Sequence, residues 1–204
     1  MKVIDVAKPQ EPAAFIEGTE WDRVTQDYIR QYKGILDPQL CKKIIGSCEN
    51  ARWKEVTHNN TRICDTTPII SPVFEKVLFS SFGGMLRLYA YDFWRAASMN
   101  TDSGYVLTRY SMSDHCPIHH EPVGIGIRAM INLNECEGGE LQFFAKEKVD
   151  SPVGTGTIFP ASFMFPYEVL PVTEGYRYYV TTTCLLYTSP SPRDYAASRM
   201  PSSA

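Results

Sequence analysis

The sequence lacks the features that mark several large classes of protein. Its 20 basic and 23 acidic residues give a net charge of −3, so it has no basic excess of the kind that binds nucleic acid or an anionic membrane. No apolar run is long enough to span a bilayer, and the first residues lack the apolar core of a signal peptide. These absences favour a cytoplasmic protein with neither nucleic acid nor a membrane as its partner.

The cysteines show no recognisable spacing either. No two of the six form a C-x-x-C pair, and their positions suggest no disulfide framework. In a reducing compartment they are most simply free thiols, several of them buried. The remaining composition is ordinary, because 44% apolar and 21% charged residues are typical of a globular chain, and 204 residues suffice for one domain with a sizeable core.

Helical periodicity is confined to the first half of the chain. Asp37 has the residue type of a helix N-cap, and Pro38 after it is suited to the first helical position. Gly83-Gly84 interrupts a later helical pattern and separates it into two segments. Four helices are therefore predicted, at Trp21–Lys33, Pro38–Cys48, Pro72–Phe82 and Met85–Ala97.

From Tyr105 onward the pattern changes to short strands separated by glycine-rich turns. Tyr105–Tyr110 alternates apolar and polar residues, and Ile125–Asn134 is nearly continuously apolar with Arg128 inside it. No βαβ rhythm is present. The chain is therefore predicted to be α+β and mainly β, with a double-sheet jelly roll. Further strands are predicted at Thr61–Cys64, Glu137–Phe144, Gly154–Phe159 and Gly175–Thr183.

One short motif carries recognisable chemistry. His119 and Glu121 are separated by one residue, and side chains at i and i+2 of an extended backbone point to the same face, so both can reach one metal ion. Two ligands leave such a site incomplete. Further along the chain, Tyr167 precedes a strongly aromatic strand, and Arg177 lies near that strand's start.

This order of residues resembles the prolyl 4-hydroxylase-like 2-oxoglutarate/Fe(II) dioxygenases, over about Gly34 to Thr183. The most specific matching segments are Arg109-Tyr110, His119-x-Glu121, Leu133-Asn134, Gly138-Gly-Glu-Leu141, Phe163-Met-Phe-Pro-Tyr167 and Val172–Tyr178. The resemblance implies a double-stranded β-helix buttressed by N-terminal helices. It also implies hydroxylation of an unactivated C–H bond, with peptidyl proline or another peptide or small molecule as the substrate.

The resemblance also implies the roles of five residues. His119, Glu121 and Tyr167 occupy the three Fe(II)-ligand positions, Arg177 that of the 2-oxoglutarate anchor, and Tyr110 that of a hydrogen-bond donor to the same co-substrate. Ascorbate is a further expected cofactor. The family has His where this chain has Tyr167, and usually Asp where it has Glu121. Because a phenol must lose a proton with a pKa of about 10 to bind a metal, Tyr167 is expected to weaken Fe(II) binding.

Several alternatives stay open at this point. The chain could be a catalytically inactive jelly-roll binding module that keeps an anion pocket, with Tyr167 merely packing in a former metal site. Arg177 could pair with Glu121 across an empty site, and His115 or Cys116 could be spare ligands. A sequence error at codon 167 is a third possibility, since His and Tyr codons differ by one base. The oligomeric state is not predicted.

Three segments are predicted along the chain. Residues 1–33 form an N-terminal arm and helix, and residues 34–183 form the dioxygenase-like domain. Residues 184–204 back-translate to a sequence resembling a transposase-type sequencing-library adapter, so they are interpreted as a non-native tail.

Overall fold

The structure is a computed structural model that describes residues 27–99, 101–121 and 126–185. Two α-helices and fourteen strands are assigned within these ranges. The helices are α1 (Pro38–Ser47) and α2 (Pro72–Asp92), and a 3-10 helix follows at Trp94–Ser98. The strands are β1 (Arg30–Tyr32), β2 (Lys54–His58), β3 (Thr61–Pro68), β4 (Thr101–Asp102), β5 (Val106–Ser111), β6 (Cys116–His119), β7 (Gly126–Asn132), β8 (Glu137–Gly138), β9 (Leu141–Phe143), β10 (Glu147–Val149), β11 (Gly156–Pro160), β12 (Tyr167–Val169), β13 (Val172–Glu174) and β14 (Tyr176–Leu185).

The strands form a double-sheet jelly roll in which the described pairings are antiparallel. The larger sheet has the order β1-β11-β7-β14-β5-β3-β2, with β4 also paired to β14. The smaller sheet has the order β10-β9-β12-β6, and β13 pairs with β8 as a separate ribbon. The predicted fold class, mainly β with a jelly roll and supporting helices, is confirmed.

Two hydrophobic clusters hold these layers together. One lies between the larger sheet and the helices, and includes Ile44 of α1, Met85 of α2 and Ile131 of β7. The other lies between the two sheets, and includes Phe143 of the smaller sheet and Tyr179 of the larger one. The second cluster forms the floor of the region where the predicted site residues lie.

Helix α1 follows its prediction closely. The Asp37 carboxylate accepts hydrogen bonds from the backbone N–H groups of Gln39 and Leu40, as an N-cap should. Pro38 occupies the first turn, where its missing N–H removes no hydrogen bond. The helix buries Cys41 and Ile44 against the larger sheet's cluster.

The prediction of two helices separated at Gly83-Gly84 is wrong, because α2 runs unbroken through both glycines. Each glycine costs a helix interior about 1 kcal/mol relative to alanine. Burial of Leu78, Phe82, Met85 and Tyr89 along one face outweighs that cost, since each apolar side chain contributes roughly 1.5–3 kcal/mol when fully buried.

In the described part of the predicted helix Trp21–Lys33, only Asp27 is helical, so the prediction is wrong at its C-terminal end. Its first six residues lie outside the described ranges, and Arg30–Tyr32 forms strand β1. This strand pairs with β11 and forms one end of the larger sheet, and the Gln31 side-chain amide donates a hydrogen bond to the Asp150 carbonyl. A free sheet edge therefore outweighed the helical spacing of the aromatic residues.

The last strand continues past the predicted domain boundary. Cys184 and Leu185 pair with β7 and with β4, and Cys184 is buried in the cluster beneath the helices. The other residues of the predicted tail, 186–204, lie outside the described ranges. Among the residues described, neither helix is long and apolar enough to cross a membrane.

Candidate functional site

A cavity of about 360 Å³ lies between the two sheets, beside the β2–β3 hairpin. Strands β5, β7 and β14 of the larger sheet form one wall, and β6 and β12 of the smaller sheet form the opposite wall. The lining residues are Val56, His58, Ile63, Cys64, Thr66, Thr108, Tyr110, Cys116, Pro117, Ile118, His119, Glu121, Arg128, Met130, Tyr167 and Thr181.

Strand pairing in the smaller sheet brings His119 and Tyr167 together. They face each other in the register of β6 and β12, and their ring centroids are 4.4 Å apart. His119 Nδ1 lies 2.9 Å from the Pro117 carbonyl oxygen. Because a carbonyl only accepts, Nδ1 is the donor in this contact, which leaves Nε2 as the nitrogen that a metal could bind.

Glu121 completes this group just beyond the end of β6. The Tyr167 hydroxyl donates a 2.7 Å hydrogen bond to Glu121 Oε1. Arg128 Nε of β7 lies 3.3 Å from the same oxygen, and Arg128 Nη1 donates to Thr183 Oγ1 at 3.0 Å. The carboxylate is thus held from one side by a phenol and from the other by a guanidinium.

The Tyr167 phenol is held in its protonated form. Burial raises its pKa well above the ordinary value of 10, the nearby Arg128 lowers it in part, and the Glu121 carboxylate raises it further. A phenol that donates to a carboxylate would have to lose both its proton and that hydrogen bond before it could bind a cation. Tyr167 therefore stabilises Glu121 in this arrangement.

Tyr110 reaches the same cavity from the larger sheet. Its side chain is buried, and its ring meets that of Tyr179 edge-on at 6.5 Å between centroids. Burial raises the Tyr110 pKa well above 10, and the thiols of Cys64 and Cys116 raise it further. The hydroxyl therefore stays protonated at any physiological pH and can donate a hydrogen bond.

Arg177 lies elsewhere in the structure. Its side chain is buried, and its guanidinium donates to the carbonyls of Cys136 at 3.1 Å and Gly138 at 2.8 Å, with a longer contact to Asn134 at 3.4 Å. It does not line the described part of the cavity. The proposed pairing of Arg177 with Glu121 is wrong, because Arg128 is the arginine that forms that ion pair.

Other residues near His119, Glu121 and Tyr167 include two that were considered as spare ligands and two that were given no role. Cys116 lines the cavity with its sulfur 3.4 Å from His119 Nδ1, whereas His115 Nδ1 lies 3.4 Å from the Ser113 carbonyl. Arg128 was predicted to lie in the strand Ile125–Asn134 but had no predicted role. His58 is exposed, and it also lines the cavity mouth. The sequence signal for Arg128 is a lone arginine within an apolar strand, which indicates a buried charge but does not identify its partner.

Whether these residues suit Fe(II) depends on the third ligand. His119 and Glu121 supply an imidazole nitrogen and a carboxylate oxygen, as a facial triad needs. Tyr167 supplies a protonated phenol directed at Glu121, which does not suit the third position. Within residues 27–99, 101–121 and 126–185, no group of three His, Cys, Asp or Glu side chains is placed to hold a metal ion. The residues as arranged do not fit a complete iron centre.

No protein-family model matches the sequence, and no curated protein does. Solved structures match its fold. A Pseudomonas putida prolyl-4-hydroxylase aligns with a TM-score of 0.64 at 17% identity, over 81% of this chain and 98% of its own. The viral collagen prolyl hydroxylase of Paramecium bursaria Chlorella virus-1, in a 2-oxoglutarate complex, aligns with a TM-score of 0.59 at 15% identity, over 78% of this chain and 97% of its own.

A third similar structure is a Trichoplax adhaerens prolyl hydroxylase in complex with a peptide fragment of the hypoxia inducible factor oxygen degradation domain. It aligns with a TM-score of 0.61 at 12% identity, over 88% of this chain and 90% of its own. At such identities the alignments establish the fold. The chain has the jelly roll of the 2-oxoglutarate/Fe(II) oxygenases.

Proposed function

We propose that this chain is a 2-oxoglutarate- and Fe(II)-dependent dioxygenase of the prolyl 4-hydroxylase-like type whose metal site is incomplete at Tyr167. The observation that carries the proposal is the meeting of His119, Glu121 and Tyr167 in one cavity of this jelly roll. Iron binding and turnover are then expected to be weak, because only two of the three ligand positions hold suitable donors.

His119 and Glu121 have different roles in the proposal. His119 would offer Nε2 to the metal, since its Nδ1–H is engaged by the Pro117 carbonyl. Glu121 would offer its carboxylate only after loosening its contacts with Tyr167 and Arg128. Arg128 is therefore expected to hold Glu121 in the cavity wall and to compete with a cation for it.

The co-substrate contacts follow the same reasoning. Tyr110 is a buried donor on the cavity wall and is proposed to bind a 2-oxoglutarate carboxylate. Arg177 would have to release the carbonyls of Cys136 and Gly138 to reach the cavity, at a cost of two charge-assisted hydrogen bonds. Both residues remain proposed 2-oxoglutarate contacts, and the position of Tyr110 on the cavity wall supports its role. Ascorbate is a proposed accessory reductant.

The substrate class is proposed to be a peptide, with a peptidyl proline as the first candidate and a small molecule as the other. The Trichoplax structure with a similar fold holds a peptide. In this chain the cavity lies between β2 and β6, which are end strands of their sheets among the described residues. An end strand offers free backbone hydrogen-bonding groups along which an extended chain can lie.

A second function is favoured by the two contacts of the Glu121 carboxylate. Tyr167 and Arg128 already satisfy Glu121, so the cavity can persist without a metal. On that basis the chain would be a jelly-roll binding module that takes up an anionic small molecule without converting it.

Formation of succinate from 2-oxoglutarate separates the two functions. Wild-type protein, Tyr167→His and Tyr167→Phe are incubated anaerobically with Fe(II) and 2-oxoglutarate, and the reaction is started with air. The dioxygenase proposal predicts slow succinate formation by wild type and a clear increase in Tyr167→His. Tyr167→Phe should remain well below Tyr167→His, because it also lacks a third ligand. Absence of succinate from both wild type and Tyr167→His, while 2-oxoglutarate still binds, would support the binding module instead.

A further inference from the structure

The β2–β3 hairpin extends beyond the sheet that carries it. Strand β3 pairs with β5 through Asp65–Pro68, whereas the described pairs of its earlier part, Thr61–Cys64, are with β2. This projecting part forms one wall of the cavity through Val56, Ile63 and Cys64. Because few backbone hydrogen bonds tie it to the larger sheet, its position must depend on side chains.

Arg62 supplies such a connection. Its Nε donates to both carboxylate oxygens of Asp114, at 3.1 and 3.2 Å, and its Nη2 lies 2.9 Å from Asp65 Oδ2. Both carboxylate side chains are only 9% exposed. A third contact, from Nη1 to Glu55 at 2.9 Å, is at the more exposed end and contributes less.

Asp114 in turn organises the turn that leads into β6. Its Oδ2 accepts a hydrogen bond from the Ser111 N–H at 2.9 Å, and its backbone carbonyl accepts one from the Val172 N–H at 3.1 Å. Strand β6 begins two residues later at Cys116 and ends at His119. The Arg62–Asp114 contact therefore joins one cavity wall to the turn that positions the other.

We propose that Arg62 is a positioning residue of the cavity, which holds the projecting part of the hairpin against the β5–β6 turn and so keeps the cavity closed around its ligand. The planar guanidinium suits this task because it bonds two buried carboxylates at fixed angles, as an ammonium group cannot. The inference extends the proposed function, since the same cavity is the ligand site. It depends on neither iron nor turnover.

Opening of the hairpin would expose a thiol. Cys64 is 4% exposed and lines the cavity from the projecting part, whereas Cys41 of α1 is fully buried within the cluster between the larger sheet and the helices. Burial raises the pKa of Cys41 to about 11 and that of Cys64 to about 12, so both thiols are protonated and unreactive while they stay buried. Their labelling rates therefore report opening at two different places.

The experiment measures maleimide labelling of each cysteine by mass spectrometry, in the full chain without added metal or ligand. Arg62→Met removes the contact, Asp114→Asn removes the carboxylate charge from it, and Arg62→Lys keeps the positive charge without the planar fork. Arg52→Met removes an exposed arginine outside this cluster as a control. Loss of a charge-assisted bond to a buried carboxylate is expected to increase Cys64 labelling about tenfold or more, with Cys41 unchanged. Arg62→Lys should fall between wild type and Arg62→Met.

Two results would overturn the inference. Equal Cys64 labelling in Arg62→Met and Arg52→Met would mean that the contact does not hold the hairpin. A parallel increase at Cys64 and Cys41 would mean that Arg62 supports overall stability only. Saturating 2-oxoglutarate added to wild type tests the proposed function separately, because protection of Cys64 requires ligand in the cavity whatever the role of Arg62.

Discussion

The Tyr167 hydroxyl donates a 2.7 Å hydrogen bond to Glu121 Oε1, although the two residues are 46 positions apart in the chain. The bond joins the third predicted metal-ligand position to the second. It satisfies a carboxylate that would otherwise attract a cation, and it needs the phenol in its protonated form. Whether Glu121 can bind a metal ion therefore depends on its hydrogen bond with Tyr167.

Tyr167→Phe should destabilise the fold by about 1–3 kcal/mol, because it removes a hydrogen bond to a charged group at a buried position. The free energy of unfolding, from urea denaturation, measures the effect. Tyr91→Phe is the matched control, since Tyr91 is 91% exposed and should change stability little. Equal stability of the two variants would mean that the hydrogen bond contributes nothing.

Arg128→Met should leave Glu121 without its ion-pair partner inside the cavity wall. The side chains are 21% and 16% exposed, so the expected loss of about 1–3 kcal/mol is smaller than for a fully buried pair. Adding Glu121→Gln to Arg128→Met should recover part of that loss, because the unpaired charge is gone. Urea denaturation of the double-mutant cycle tests this, and strictly additive effects would contradict the pairing.

Gly154→Ala should be strongly destabilising, by about 3 kcal/mol or more. Gly154 has φ +74°, and an added Cβ would collide with the Leu36 carbonyl oxygen. Gly84→Ala is the contrasting variant, because nothing lies within 4 Å of its Cβ position in the interior of α2. It should stabilise the protein by up to about 1 kcal/mol. Thermal unfolding compares the two, and a stable Gly154→Ala variant would refute the predicted collision.

Acid should weaken the Arg62 cluster through Asp65. Burial alone would raise the pKa of Asp65, but its bonds to Arg62 and Arg109 outweigh burial and hold that pKa below the ordinary value. A carboxyl with a lowered folded-state pKa contributes stability above its unfolded value of about 3.9, and that stability is lost as pH falls through the folded-state pKa. Wild type should therefore lose stability below about pH 4 more steeply than Asp65→Asn, as urea midpoints across pH would show. Parallel curves would contradict the assignment.

Helix-capping rules and the alternation of apolar and polar residues in strands correctly predicted much of the jelly roll. The Asp37-Pro38 cap and the strands around Tyr105–Tyr110 and Ile125–Asn134 were predicted because their signals are local. The predicted helix break at Gly83-Gly84 was wrong because burial of neighbouring side chains outweighed the free-energy cost of two glycines. A local sequence pattern does not reveal that burial. The helix predicted over Arg30–Tyr32 was wrong for a similar reason. Strand β1 forms there because residues 156–158 provide a strand for it to pair with.

The candidate site was only partly predictable. The one-residue spacing of His119 and Glu121 and the strand position of Tyr167 suggested their meeting, but no sequence pattern shows which arginine faces Glu121. That choice depends on the registers of β7 and β14, which place Arg128 at the cavity and direct Arg177 to the carbonyls near Gly138. The Arg62–Asp114 contact spans 52 positions and has no local signal at all.

Anaerobic titration of Fe(II) into wild type and Tyr167→His decides whether the cavity is a metal site with a defective third ligand. An imidazole at position 167 should bind iron beside His119 and Glu121 and relieve Glu121 of the phenol. Fe(II) affinity should therefore rise at least about tenfold, as expected when a ligand set is completed. Unchanged, weak Fe(II) binding in a folded Tyr167→His variant would contradict the metal-site interpretation.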